Sequence, residues 1–446
     1  MVFSSFQFII FFLLFLFLIY YFPKYQRSII IISSLIFYAY WKPVYVIIIL
    51  YLIILSYLSI KKNLSLKFSI PILLLPLIYF KYSSFIYDIF KISEFELLKF
   101  ESKMPLGISF ITFTIIALVI DIKKKIFLEK VKLNQLSEFI LYFPQLIAGP
   151  ILRANELIPL LKEKIKFKKE NIKFGILLFL VGFIKKVFFA DTIANIIDPI
   201  FLSPENFNNK YILVASLLFP LQIYFDFSGY VDMALGISRV LGIQLPINFD
   251  APYLSKSLAD FWRRWHITLS SWFRDYLFIP LGGSRSGILI TNLNLVITMT
   301  IAGLWHGASW NFVLWGFLHG IILGLEKIVL LKKIKFYLPS FVLIFTNCFI
   351  VFNLWIVFRI TDFNNLFLFL SKLYSFQIFG FEKNIIYSLT ILIISIYLQK
   401  YDNQVFLFNF SKKINFKMLI VCLLSILISG FLINLGTSEN FIYFDF

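Results

Sequence analysis

The sequence predicts an all-α, polytopic integral membrane protein. Three observations carry that expectation. Hydrophobic residues fill 60% of the 446 positions and charged residues only 15%, whereas a soluble chain is about half apolar and about a quarter charged. Mean hydropathy is +0.87. Apolar runs approaching the length of a hydrocarbon core follow one another, separated by short lysine clusters. These features exclude a soluble enzyme, a disordered chain and a disulfide-stapled secreted domain.

The net charge of +18 comes from those clusters and fits cytoplasmic loops between spans. It calls for membrane lipids as neighbours and for no nucleic acid. Cys348 and Cys422 both lie inside apolar runs and suggest neither a disulfide nor a metal site.

The candidate spans run in order. Phe3 to Pro23 carries no charge and lacks a basic leader and a small-residue cleavage site, so it reads as a retained first span. Ser28 to Trp41, Pro43 to Ile60, Phe68 to Phe80 and Pro105 to Ile120 follow. Leu136 to Leu152 contains FPQLIAGP, whose prolines and glycine predict a broken or re-entrant element. Next come Phe174 to Ala190 and Tyr211 to Phe225. Gly287 to Leu325 has no Asp, Glu, Lys or Arg, enough for two spans with a turn near Gly307. Tyr337 to Phe358, a short run around Leu366, Ile386 to Leu398 and Met418 to Ser438 complete the set. The count is about 11–12 transmembrane or re-entrant helices, with neither an internal repeat nor a soluble domain.

Chemistry concentrates in one block, residues 224–320. All three histidines, His266, His306 and His319, fall within 54 positions, and six of the eight tryptophans lie between Trp262 and Trp315. Ser257 to Leu281 places Phe261, Trp262, Trp265, Leu269, Trp272, Phe273 and Tyr276 at three- and four-residue spacing, which predicts one amphipathic helix. Ser257, with Asp260 three positions on, would cap its start. Two readings stand for this segment. It is an interfacial helix anchored by Trp and Arg, or it also aims His266 into the bundle and offers Arg263 and Arg264 to the phosphates of an anionic donor. LGGSRSG, Leu281 to Gly287, lacks the context of a nucleotide-binding loop and reads as a turn.

GLWHGASWNFVLWGFLHG, Gly303 to Gly320, holds two imidazoles in an uncharged stretch. A buried imidazole has two ring nitrogens to satisfy, and polar groups at membrane depth often mark function. Thirteen residues of helix turn through about 220°, so His306 and His319 cannot share one face of one straight helix. Either histidine could be a hydrogen-bonded structural residue, or His319 could be a proton-transfer group. The glycines permit close helix approach or line a passage. Upstream, Asp226 and Asp232 either pair with Arg239 or orient an imidazole, or Tyr224 and Asp226 are ordinary groups at a helix end.

Several motifs together carry a family resemblance. They are PLGISFITFT (Pro105 to Thr114), FPQLIAGPI (Phe143 to Ile151), YFDFSGYVDMALG (Tyr224 to Gly236), the run Leu245 to Arg285, LWHGASWNFVLWGFLHG (Leu304 to Gly320), and both termini, ending FIYFDF. The chain resembles the membrane-bound O-acyltransferase family in its alginate O-acetylation branch. The resemblance implies a single membrane-embedded acyltransferase domain over 1–446, with helices around a membrane-crossing funnel in a bacterial inner membrane.

It further implies His319 as the essential histidine and His266 as its upstream partner, with His306, Asp226, Trp305 and Asn311 as supporting candidates. On that reading His319 takes the acceptor hydroxyl's proton while His266 orients a reactant. The implied donor is acetyl-CoA, bound as a substrate with no resident cofactor or metal. The implied acceptor is an envelope polysaccharide, peptidoglycan or alginate-like, often reached with an extracytoplasmic SGNH-type transferase partner. D-alanyl transfer to teichoic acid, and a non-enzymatic transporter or flippase, stand as alternatives. Asp445 occupies a position where relatives often carry Gln or Arg.

Overall fold

The computed structural model describes residues 1–90, 104–285, 287–331, 338–375 and 383–433. The closing motif with Asp445, the last residues of the final span and Ser286 of the glycine-rich turn lie outside the described residues. Among the described residues every regular element is helical.

Among the described residues, seven helices are long and apolar enough to cross a membrane: Pro43–Lys61, Leu66–Phe90, Asn209–Val240, Ile288–His306, Trp310–Val329, Ser340–Arg359 and Phe416–Ile433. An eighth is the pair Phe6–Tyr21 and Pro23–Ala39, bent by 106°. The expected 11–12 included shorter elements. Ile108–Lys123 and Lys383–Leu398 have 16 residues each and Leu133–Leu141 has nine. Sixteen residues rise about 24 Å, short of a hydrocarbon core about 30 Å thick. The run Phe68 to Phe80 goes the other way. Its helix continues past Pro71 and Pro76 through a π-turn at Ile78–Tyr82 to Phe90, a local re-registering that accommodates prolines.

Two compact units emerge. The first comprises Met1–Val181, Tyr230–Pro246 and Ile414–Ile433. Its centre is the helix Ile108–Lys123, buried from Ile108 through Asp121. Gly107, at φ 69°, starts that helix, and a Cβ there would meet the Leu146 carbonyl oxygen at 2.7 Å. FPQLIAGP is broken as expected: a helix ends at Leu141, one turn covers Phe143–Leu146, and the chain then unwinds. The Gln145 amide donates to the Phe139 carbonyl at 2.6 Å, which satisfies a freed backbone group. Phe3, Phe8, Phe37 and Phe143 pack together, with Phe3 stacked on Tyr230 at 4.6 Å. Arg27 meets the buried Glu138 carboxylate at 2.7 Å.

The second unit comprises Gly182–Gly229 and Ile247–Lys413. Its helices Ile288–His306 and Trp310–Leu331 form a tight antiparallel hairpin. A Cβ on Gly303 would collide with the Phe312 carbonyl, one on Gly316 with the Met299 carbonyl, and one on Gly320 with Val296 Cα at 2.6 Å. The glycines therefore serve close helix approach. The expected turn near Gly307 is present.

The helix Asn209–Val240 corrects two expectations. It runs 32 residues, so Tyr224 and Asp226 lie within it and not at its end. Its apolar 18-residue stretch is 83% buried, against 17% for that of Leu66–Phe90, which marks it as a core element. Gly182 and Gly229 let this helix approach the preceding one, where a Cβ on Gly229 would meet the Gly182 carbonyl oxygen at 2.7 Å. One turn from that crossing, Lys186 reaches Asp226 at 2.6 Å and Asp191 at 2.7 Å. Arg239, the other partner considered, bonds Gln244. Beside this pair, Asp402 accepts from Lys185 and from the Tyr224 hydroxyl, each at 2.5 Å.

Large apolar side chains such as Leu13, Phe17, Ile47, Phe68 and Val421 are exposed on the long helices. Lipid tolerates that exposure and water does not.

Candidate active site

The segment expected to be one helix is two. Leu258–Arg264 and Ile267–Phe273 are separated by Trp265 and His266. His266 sits at φ 43°, in the left-handed region, which costs a non-glycine residue about 1–3 kcal/mol. Helical spacing continues across the break, so periodicity could not reveal it. Long-range bonds hold it. The Asp250 amide donates to the Arg264 carbonyl and the Ile267 amide to the Asn248 carbonyl, both at 3.0 Å.

The Asn248 side chain completes the clamp. Its Oδ1 accepts from the Thr268 amide at 3.0 Å and the Thr268 hydroxyl at 2.9 Å, and His266 Nδ1 stands 3.3 Å from the same oxygen. His266 is fully buried, with Phe227 edge-on at 4.6 Å. Burial pushes its imidazole down to about 3, so the ring is neutral at physiological pH.

The first short helix is fixed at its other end. Ser257 caps it as expected, accepting from the Asp260 amide at 3.1 Å. Glu326 adds a second cap, taking the Leu258 amide at 2.6 Å and the Ala259 amide at 3.0 Å. A carboxylate at a helix N-terminus satisfies orphan donors and the dipole together. Glu326 lies seven residues, about two turns, beyond His319 on the same helix. The cap thus seats Trp262 beside His319.

His319 is 1% exposed. The Trp262 indole Nε1–H donates to its Nδ1 at 3.3 Å. Trp315 packs edge-on against the same ring at 4.6 Å. Ring contacts continue from Trp315 to His306 at 5.4 Å, from His306 to Trp305 at 4.9 Å, and from Trp305 to His266 at 6.3 Å. All three histidines therefore belong to one aromatic cluster, which Trp265, Trp355 and Phe358 extend.

The other expected residues divide. Trp305 and His306 are within the cluster. Asn311 is buried and spends its amide on the Val357 and Phe358 carbonyls, both at 3.2 Å. That bond ties the start of the His319 helix to the end of Ser340–Arg359. Asp226 pairs with Lys186. Arg263 is 72% exposed and 3.9 Å from Asp260, while Arg264 pairs with Asp260 at 3.1 Å. The sequence reading missed Asn248, Glu326 and the hydrogen-bonding role of Trp262. The polar Asn248 in LPINFD and the lone acid Glu326 ending an uncharged run were the available signals.

Comparison with known proteins places the chain in a family. The family model described as MBOAT, membrane-bound O-acyltransferase family, matches residues 123–370, more than half the chain. The chain belongs to the membrane-bound O-acyltransferase family. It is 37% identical over 346 residues to a probable alginate O-acetylase of Azotobacter vinelandii, covering 73% of this chain and 69% of that one. It is 34% identical over 377 residues to the probable alginate O-acetylase of Pseudomonas aeruginosa, covering 80% and 72%. It is 35% identical over 379 residues to a peptidoglycan O-acetyltransferase of Helicobacter pylori, covering 76% and 71%. Within the membrane-bound O-acyltransferases the chain stands near the alginate O-acetylase branch. The matched residues contain Asn248, Trp262, His266, His306, His319 and Glu326.

Proposed function

We propose that the chain transfers an acetyl group from cytoplasmic acetyl-CoA toward hydroxyls of an extracytoplasmic cell-envelope polysaccharide, in a bacterial cytoplasmic membrane. The observation that carries the proposal is the buried His319, gripped by Trp262 and Trp315 in an apolar helix of a chain similar to alginate and peptidoglycan O-acetylases. His319 and His266 are the groups assigned to the reacting centre. His306, Trp305, Asn311 and Asp226 support their placement. Arg263 and Arg264 are assigned to the donor's phosphates, a role the exposure of Arg263 permits. The acceptor is peptidoglycan or an alginate-like polymer, and an SGNH-type transferase outside the membrane is the partner that would complete delivery.

Low-dielectric surroundings strengthen hydrogen bonds to charge that develops during the step. They also keep water from the thioester. The test uses isolated membranes, labelled acetyl-CoA and a panel of glycan acceptors. Wild type should move label to one glycan class, and His319→Ala should lose transfer while staying in the membrane. Label transferred equally by His319→Ala would overturn the reading. So would transfer of D-alanine in place of acetyl, or movement of an intact precursor.

A further inference from the structure

Two consecutive lysines, Lys185 and Lys186, are buried in the second unit. Ionisable side chains at membrane depth are costly and often mark function. Both lie in the π-turn Ile184–Ala190. Lys186 reaches Asp191 at 2.7 Å and Asp226 at 2.6 Å. Lys185 reaches Asp402 at 2.5 Å. The π-turn makes the first of these contacts possible. Residues five apart on an α-helix point about 140° from each other, whereas a π-turn closes i to i+5. The Asp191 amide donates to the Lys186 carbonyl in that register, and the two side chains pair on the same side. Lys186 thereby holds one carboxylate from its own segment and one from the long helix Asn209–Val240.

The same helix also bears on the candidate active site. Tyr224 and Phe227 stand three residues apart, on one face of it. Phe227 meets the His266 ring edge-on at 4.6 Å and the Phe249 ring at 5.1 Å. Tyr224 contacts Phe249 at 5.9 Å and Trp265 at 6.4 Å. Both residues of the helix break, Trp265 and His266, therefore rest on this face. The rotation of the long helix about its axis decides whether Phe227 meets His266. Two polar handles fix that rotation. Asp226, next to Phe227, is held by Lys186. The Tyr224 hydroxyl donates to Asp402 at 2.5 Å, and Lys185 holds that carboxylate. Both handles lead to the same π-turn.

We propose that Lys186 is a positioning residue for acyl transfer: through Asp226 it sets the rotation of the Asn209–Val240 helix and so seats Phe227 against His266. The proposal rests on the reading of His266 as a group of the reacting centre. Asn248 restrains His266 from one side, and the Lys186 pair restrains it from the facing helix. Removing the ammonium leaves Asp191 and Asp226 without the cation they share, and like charges repel strongly in a low dielectric. The long helix then turns to part them, and Phe227 moves off the imidazole.

The full-length protein in lipid nanodiscs, labelled with ¹⁵N-histidine, has three imidazoles to assign. The signal lost in His266→Gln belongs to His266, and the one lost in His319→Gln to His319. Phe227→Leu removes the edge-on ring and defines the His266 shift that follows. Lys186→Gln should move the His266 signal in the same sense and leave the His319 signal in place. In transfer assays with membranes it should lower kcat about tenfold, with the donor KM within about twofold. Asp226→Asn should give the same pattern more weakly, and it decides should Lys186→Gln fail to fold. An unchanged His266 signal overturns the proposal. So does equal movement of all three histidines, which is general loosening. His266→Gln separates failure of the proposal from failure of the functional reading. If that variant transfers at the wild-type rate, the functional reading falls and the spectra still test the geometry. If it is inactive, a wild-type kcat in Lys186→Gln with a moved His266 signal overturns the positioning role.

Discussion

The glycine-packed hairpin, Ile288–His306 with Trp310–Leu331, and the segment Leu258–Phe273 are both aromatic-rich and adjacent in sequence, yet they are specified differently. The hairpin's geometry is written in its own residues. Gly303, Gly316 and Gly320 lie where the facing backbone leaves no room for a Cβ, and Gly307 lies at the turn. The segment Leu258–Phe273 is helical by spacing but broken by partners elsewhere: Asn248 before it and Glu326 after it. Local composition thus sets the scaffold, and distant polar side chains set the direction in which the site histidines face.

Substitutions in each region sharpen that contrast. The largest effect belongs to the hairpin. Gly316→Val would drive side-chain atoms into the Met299 carbonyl and should cost about 3 kcal/mol or more, read as loss of folded protein after detergent extraction. Asn248→Ala should come next. It removes the acceptor for two Thr268 donors and the atom facing His266. A loss of about 2 kcal/mol is expected, together with a sharp fall in transfer, because the left-handed His266 loses its restraint. A thermal midpoint unchanged from wild type would show that the break is set locally after all.

Much of the scaffold is legible in the sequence. The apolar runs mark the spans, FPQLIAGP marks the break, and the uncharged stretch after Gly287 marks the hairpin. Less of the site is legible. Periodicity across Trp262, Trp265, Leu269 and Trp272 cannot register an interruption held by hydrogen bonds from 18 residues upstream. The position of Asp226 is similar. Charge alone nominates Arg239, whereas the Gly182–Gly229 crossing delivers Lys186. Histidine scarcity points to the block 224–320, where tryptophan rings link all three histidines.

Smaller effects probe the caps and the buried ring. Glu326→Gln should lower stability by about 1 kcal/mol, because a neutral amide oxygen replaces a carboxylate at two backbone donors. It should also loosen the Trp262 contact with His319. A separate effect is in pH dependence. Burial lowers the His266 value to about 3, below the value of about 6.5 expected when unfolded. The unfolded chain therefore takes up this proton first. The contribution is fully present above about pH 6.5 and is lost as the pH falls toward about 3. His266→Gln should flatten part of the decline in unfolding midpoint between about pH 7 and about pH 5. An identical slope in variant and wild type would contradict the burial argument.

The account centres on His319 as a group of the reacting centre, and one measurement addresses that directly. Membranes of the native cell, holding the chain or its His319→Gln variant at equal protein and retaining any extracytoplasmic partner, are given labelled acetyl-CoA on the cytoplasmic side and glycan acceptor on the other. Wild type should transfer label, and the variant should be slower by about a hundredfold or more. Equal rates from the two proteins would contradict the account.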